Sequence, residues 1–309
     1  MLVINDIDSF QGPWEGCVVT MGNFDGLHIG HQKLIDSVLK LSSENGLESV
    51  LISYQPTITE SLPQIVNREE KIEFLKEKGV SALVNITLDD KTKKLPAMEF
   101  LENVLLERLK AHTIIIGYDH AFGRNRQGDI NFLREHAKKY DYTVYQIESV
   151  NIEGTPVSSS RIRENIELGN IENANTMLGR AYNIQSKVIH GHKRGKKFGI
   201  PTANLQTPED KVLPATGVYF AMVKYDGIVY KGVVNIGTNP TFANKTVGIE
   251  VHFLDFSKDI YNEIINVSFI ARLRDEIKFE NIEKLKEQIA VDIEQAENIS
   301  LENYNFTIS

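Results

Sequence analysis

The chain has 309 residues, 41% hydrophobic and 25% charged, with a net charge of −8. That length suits two folded units, and the acidity argues against broad binding to nucleic acid or an anionic membrane surface. The one cysteine, Cys17, excludes an intrachain disulfide and any multi-cysteine metal site.

Nothing near the N-terminus pairs a basic segment with an apolar core, and Asp6 and Asp8 come early. No apolar run reaches the roughly 18 residues of a membrane span. A cytoplasmic protein is the expectation.

Cys17 to Met21 reads as a buried strand, with Cys17 as a small hydrophobe within it. Gly22, Asn23, Phe24, Asp25 and Gly26 make a turn. From His31 the apolar positions Leu34, Ile35, Val38, Leu39 and Leu41 recur at helical spacing until Asn45-Gly46. His28 and His31 therefore stand at a helix start, where free N–H groups and the positive dipole end suit phosphate. Imidazole donates to phosphate oxygens, and Gly30 lets a ligand approach the backbone. Helix capping or a metal pair are the plainer uses of these histidines.

Further strands are predicted at Ser49–Tyr54, Val80–Ile86, Thr113–Gly117 and Tyr142–Ile147. Helices are predicted from Asn67, from Pro96 and over Asp129–Lys139. This β-α order implies a parallel sheet covered on both faces, with ligands at the carboxyl ends of its strands. Two more stretches should reach that edge. Gly117 to Asp129 carries glycines, two arginines and Asn125 between them, fit for a phosphate or flavin contact or simply a solvated loop. Val157 to Arg163 offers Ser159, Ser160 and Arg163 at a helix start as an anion clamp, or as an ordinary cap.

After a short helical region ending near Leu178-Gly179-Arg180 the pattern changes to short strands. Tyr219–Tyr225, Asp226-Gly227 and Ile228–Asn235 read as a hairpin. Val247–Leu254 and Ile264–Leu273 follow, then a helix with Ile282, Leu285, Ile289 and Ile293 on one face. A small antiparallel barrel with a terminal helix is expected. The run His190 to Leu205 holds three glycines and four cations, a local positive loop able to wrap a polyphosphate or a charged surface turn. Thr202 and Asn204, two apart, would share a strand face and could hold Mg²⁺ as neutral oxygens.

The string Gly22 to His31 resembles the nucleotide-binding signature of the HxGH nucleotidyltransferase superfamily. Within it, the string is most similar to the adenylyltransferase half of bacterial bifunctional riboflavin kinase/FAD synthetases. Val157, Ser160 and Arg163 match that superfamily's I-S-S-T-x-x-R-like segment. Gly199-Ile200-Pro201-Thr202-Ala203-Asn204 resembles the G-x-P-T-A-N signature of riboflavin kinases. Leu213–Tyr219, Asn235–Phe242 and Ile249–His252 match further segments of that family. Two family patterns are altered. T-F-D-P-H-P reads Ser53-Tyr54-Gln55-Pro56-Thr57-Ile58 here, and His120 replaces an aromatic residue in G-x-D-F-x-F-G.

The resemblance implies an α/β N-terminal domain over 1–182 and a mostly-β C-terminal domain over 183–309. The second would phosphorylate riboflavin to FMN, and the first would adenylylate FMN to FAD, both with ATP as co-substrate and Mg²⁺ as cofactor. Riboflavin, FMN, FAD and ATP are the implied partners, with no nucleic acid and no membrane. His28, His31 and Arg163 would act on the phosphates of ATP, and Glu250 as base toward the ribityl 5′-hydroxyl. Gly22, Asn23, Phe24, Asp25, Gly30, Ser159, Ser160 and Asn125 would line the first nucleotide site. Gly191, Lys197, Gly199, Pro201 and Arg274 would line the second, with Thr202 and Asn204 on the metal. The altered segments leave open a chain with only one activity, the first site being the one in question, or a non-catalytic flavin or nucleotide sensor.

Overall fold

The computed structural model describes residues 1–7, 10, 12–57, 62–191, 200–239 and 246–308. The chain divides into two compact units, Met1–Ser158 and Ser159–Ser309. In the first, six strands pair in parallel: β1 (Leu2–Ile4), β2 (Cys17–Gly22), β3 (Glu48–Gln55), β4 (Ala82–Thr87), β5 (Ala111–Gly117) and β6 (Thr143–Ile147). Their order is β1-β4-β3-β2-β5-β6. The chain leaves β2 toward β3 and β4, then returns to the other side of β2 as β5. That reversal makes the end of β2 the switch point, where open α/β sheets take their ligands.

Helix α1 (Ile29–Asn45) covers one face, its Leu34 and Val38 packing on Val18 and Ile115. The other face, with Val19, Met21, Val50, Ile52, Ile114 and Ile116, packs on Leu101 and Leu105. Both faces are buried, so the strands read as continuous apolar runs rather than alternating ones. Helix α2 (Arg68–Glu77) opens on the expected capping box between Asn67 and Glu70. A short α3 (Asp90–Lys94) precedes α4 (Ala97–Glu99), which starts after Pro96 and continues as π-helix over Phe100–Arg108. Then come α5 (Ile130–Tyr140) and a small hairpin of β7 (Asn151–Ile152) and β8 (Thr155–Pro156). Edge strand β1 is too short to show a periodic pattern, and only its pairing with β4 identifies it.

The second unit opens with α6 (Ser159–Glu167) and α7 (Ile171–Leu178). Six antiparallel strands then close into a barrel in the order β10-β13-β12-β11-β14-β9. They are β9 (Tyr182–Ile189), β10 (Ala203–Leu205), β11 (Gly217–Tyr225), β12 (Ile228–Asn239), β13 (Thr246–Phe253) and β14 (Ile264–Arg274), followed by α8 (Ile282–Asn298). Asp226 and Gly227 both have positive φ, 51° and 77°, as the two-residue hairpin turn requires. The compact units divide ahead of residue 182, because α7 is tied to the barrel. Buried Asn175 donates to the Phe269 carbonyl and accepts from Tyr182 N.

On the terminal helix Leu285, Ile289 and Ile293 are half-buried, with Ile293 packed against the barrel, but they are not its deepest residues. Ile282 is exposed, and the deepest residues of α8 are Asp292 and Ala296. Ala296 packs with Val218, Phe220, Val233 and Ile270 on the outside of the barrel. Asp292 takes two hydrogen bonds from Arg274, at 2.8 Å each, and a third from Gln288. Removing one partner of a buried pair strands the other charge. Asp292→Ala is expected to destabilise the second unit by about 3 kcal/mol in urea unfolding; a change within error would show that the pair contributes nothing.

Candidate active sites

At the end of β2 the chain turns sharply. Phe24, Gly26 and Leu27 all have positive φ, 49°, 82° and 46°, and Phe24 and Leu27 are fully buried. Bulky residues hold such a conformation only where the surroundings impose it, and such positions cluster at functional sites. Several contacts impose it here. Asp25 Oδ1 accepts from Ile65 N at 2.9 Å and from Val66 N at 3.5 Å. Gln32 Nε2 donates to the Leu27 carbonyl at 2.9 Å. From α2, Lys71 Nζ donates to the Asn23 carbonyl at 3.3 Å and to Ser53 Oγ at 3.1 Å.

Lys71 is buried, and burial pushes its pKa down to about 8 against an opposing pull from Asp25. The sequence reading does not identify it. The only signal is a lysine four residues before Leu75, on the buried face of α2.

His28 caps α1, its Nδ1 accepting from His31 N at 3.3 Å. An accepting Nδ1 puts the neutral ring's proton on Nε2, a donor. The two imidazoles stack with centroids 3.7 Å apart, and Phe24 lies 5.1 Å from His31. A Cβ at Gly30 would lie 3.2 Å from the His28 ring, so a side chain there would press on it. The result is two stacked imidazoles at the start of a 17-residue helix, where free backbone N–H groups and the positive end of the helix dipole collect.

The segment after β5 is closed rather than loose. Phe122 and Gly128 exchange backbone hydrogen bonds at 2.9 and 3.0 Å, and Gly123, at φ 72°, abuts the Ala97 backbone. Asn125 is exposed within the 3₁₀ turn Arg124–Arg126. The two departures from the family patterns meet in space. Tyr54 and His120 are parallel within 9° at 6.3 Å, and with Phe100 and Phe122 they complete a ring of four aromatic side chains. Burial raises the Tyr54 pKa and pushes His120 down to about 4.

Ser159, Ser160 and Arg163 stand in the first turns of α6. Ser160 is exposed; Ser159 and Arg163 are half-buried.

In the second unit, strand register assembles the site. Glu250 on β13 pairs with Asn204 on β10 and with Asn235 on β12. Their neighbours Ile249, Val251, Val234 and Ile236 are buried inside the barrel, so this row faces outward. A Cβ at Gly191 would lie 2.3 Å from the Asn204 amide, so glycine is what admits Asn204 to the row. His252 Nδ1 donates to the Pro201 carbonyl at 2.8 Å, holding the segment that enters β10.

Thr202 and Asn204 do not share a strand face as expected, because β10 begins only at Ala203. Asn204 lines a cavity of about 510 Å³ with Gly191, Thr207 and Gly248. Thr202 lines another of about 340 Å³ with Phe253, Phe256 and Tyr261. Arg274, expected at the flavin, commits Nε and Nη2 to Asp292 and Nη1 to the Asp275 carbonyl. Lys197, Gly199 and the segment 240–242 lie outside the described residues. Among those residues, no cluster of His, Cys, Asp or Glu suits a metal, and no helix is long and apolar enough to cross a membrane.

A histidine-capped turn at the switch point of a parallel α/β sheet, and a carboxylate–amide row on a small barrel, are the layout of a two-unit nucleotide-dependent transferase. Family models described as FAD synthetase and riboflavin kinase match residues 11–161 and 178–300. The bifunctional riboflavin kinase/FMN adenylyltransferase of Pseudomonas fluorescens is 32% identical over 302 residues, covering 96% of this chain and 97% of that protein. The Escherichia coli protein of the same name is 33% identical over 291 residues, covering 91% and 92%. A crystal structure described as that of a macrolide-efflux protein from Streptococcus pneumoniae has a TM-score of 0.89 at 30% identity, covering 97% of this chain and 99% of that one. The chain belongs to the bifunctional riboflavin kinase/FMN adenylyltransferase family.

Two outcomes follow from this geometry. Gly191→Ala should displace Asn204 and lower riboflavin phosphorylation about 100-fold, the scale of a 1 Å misplacement at a reacting centre; full activity would show the row to be incidental. For His120, the folded pKa of about 4 lies below the ordinary 6.5. The unfolded chain then binds more protons between those values, so stability rises with pH across that window. Wild-type protein should lose stability from pH 6.5 toward 4 more steeply than His120→Phe. Identical acid profiles would remove burial as the cause.

Proposed function

We propose that the second unit transfers the γ-phosphoryl group of ATP to the 5′-hydroxyl of riboflavin, and that the first transfers AMP from ATP to the FMN so formed. What supports this reading is that the His28–His31 turn stands on the parallel sheet of one unit and the Glu250 row on the barrel of the other. In the kinase step, Glu250 accepts the hydroxyl proton as the oxygen attacks the γ-phosphorus, and ADP leaves. Asn204 and Asn235 flank that carboxylate and orient it. In the adenylyl step an FMN phosphate oxygen attacks the α-phosphorus of ATP. The bond to the bridging oxygen breaks, and pyrophosphate carries away the charge. No protein nucleophile is needed. His28 and His31 donate to phosphate oxygens as charge builds on them. Ser159, Ser160 and Arg163 are read as ligands of the ATP phosphates, and the functional division is read at 182/183. Asn125 is read as a nucleotide contact.

Mg²⁺ fits both reactions, because it relies on substrate phosphates for most of its ligands and neutralises their charge. In the kinase site the hard oxygens of Thr202 and Asn204 are the proposed protein donors, although only Asn204 stands in the row with Glu250. The cytoplasm, with its ATP, is the proposed location. A second reading, loss of adenylyl transfer, is motivated by Gln55, Thr57 and His120, where the family patterns are altered.

The assay is incubation with Mg-ATP and riboflavin, then with Mg-ATP and FMN, separating products by chromatography. FMN and then FAD are expected. Glu250→Gln should lower FMN formation about 10²- to 10⁴-fold while FMN is still converted to FAD. His28→Ala should do the reverse, about 10²- to 10³-fold on FAD. FMN accumulating without FAD in the wild-type protein would leave a kinase alone.

A further inference from the structure

We propose that Glu276, just past β14, is a substrate-positioning residue of the kinase site that accepts a hydrogen bond from an inner hydroxyl of the ribityl chain. The inference rests on the assignment of Glu250 to that site and extends it. It begins at two glycines. On the outer face of β12, Gly237 lies two residues beyond Asn235; on β13 its partner is Gly248, two residues before Glu250. Beside the row of Asn204, Glu250 and Asn235 the barrel therefore presents a floor with no side chains. Gly248 also lines the cavity of about 510 Å³ that Asn204 lines.

At the Gly237 end, a Cβ would lie 3.0 Å from Glu276 Oε1 and 3.3 Å from Asn235 Nδ2. The absent side chain is what lets this carboxylate reach over the floor. A carboxylate oxygen and an amide donor thus converge on one point. That pairing suits a hydroxyl, which donates to the first and accepts from the second. It does not suit a cation, which the amide hydrogens would repel. Two residues along a strand span about 7 Å, so the second carboxylate is offset from Glu250 along a surface on which an extended polyol can lie flat. Glu250 takes the proton of the terminal hydroxyl, and Glu276 holds an inner one. Arg274 cannot neutralise this carboxylate, since its guanidinium is committed to Asp292 and to the Asp275 carbonyl.

The test compares Glu276→Gln, Gly237→Ala and the double variant with wild type. It reads KM for riboflavin and for ATP, the Mg²⁺ requirement, and binding of lumichrome, the flavin ring without its chain. Glu276→Gln should raise KM for riboflavin about tenfold, the equivalent of about 1.4 kcal/mol, and leave KM for ATP, the Mg²⁺ requirement and lumichrome affinity unchanged. Gly237→Ala should give the same loss by pushing the carboxylate aside, and the double variant should be no worse than either. A shift in KM for ATP or in the Mg²⁺ requirement would assign Glu276 to the nucleotide or the metal. Equal weakening of lumichrome and riboflavin would assign it to the ring or to the fold. No change in any constant would leave it a surface residue. Each of these overturns the proposal while wild-type FMN formation stands; loss of wild-type FMN formation would instead sink the kinase reading beneath it.

Discussion

A turn that runs through positive φ at bulky residues persists only where its surroundings fix it, and in the first unit that fixing depends on one buried ammonium. Lys71 ties the Asn23 carbonyl to Ser53 at the end of β3, so the turn between β2 and α1 is anchored to the neighbouring strand. Asp25 fastens the same turn to the backbone of Ile65 and Val66. With those two anchors the positive φ values at Phe24 and Leu27 can persist, and His28 meets the first turn of α1 as its cap. The lysine's burial is unfavourable by itself, as its lowered pKa indicates. That cost is consistent with a turn selected for geometry rather than for stability.

The second unit reaches the same end by strand pairing. Antiparallel register sets Glu250 between two asparagines from different strands, and the closed barrel keeps that register from slipping. A slip by one residue would exchange Glu250 with the buried Val251, so the core residues guard the position of the carboxylate. Glycines do the complementary work. Gly191 leaves room for the Asn204 amide, and Gly237 for Glu276.

Charged residues around the barrel differ in their surroundings in ways that their sequence context does not tell. Arg274 and Glu250 both stand at strand positions in motif-like strings. One is paired bidentately with a buried aspartate of α8; the other faces outward in register with two asparagines. His252, two residues from Glu250 on the same strand face, holds the Pro201 carbonyl.

The alternation of strand and helix, the turn before α1, the Asn67 capping box and the Asp226-Gly227 hairpin were all legible in the sequence. Each is written in residues close together in the chain, through apolar periodicity and local backbone preference. The same holds for the histidine pair, because both members and the glycine between them lie within one turn of helix. Only the tertiary structure decided the partners of Lys71, the meeting of Tyr54 with His120, the separate cavities of Thr202 and Asn204, and the pairing of Arg274 with Asp292. Those contacts join residues far apart in sequence, and the closing of a sheet or barrel, which no local preference encodes, brings them together.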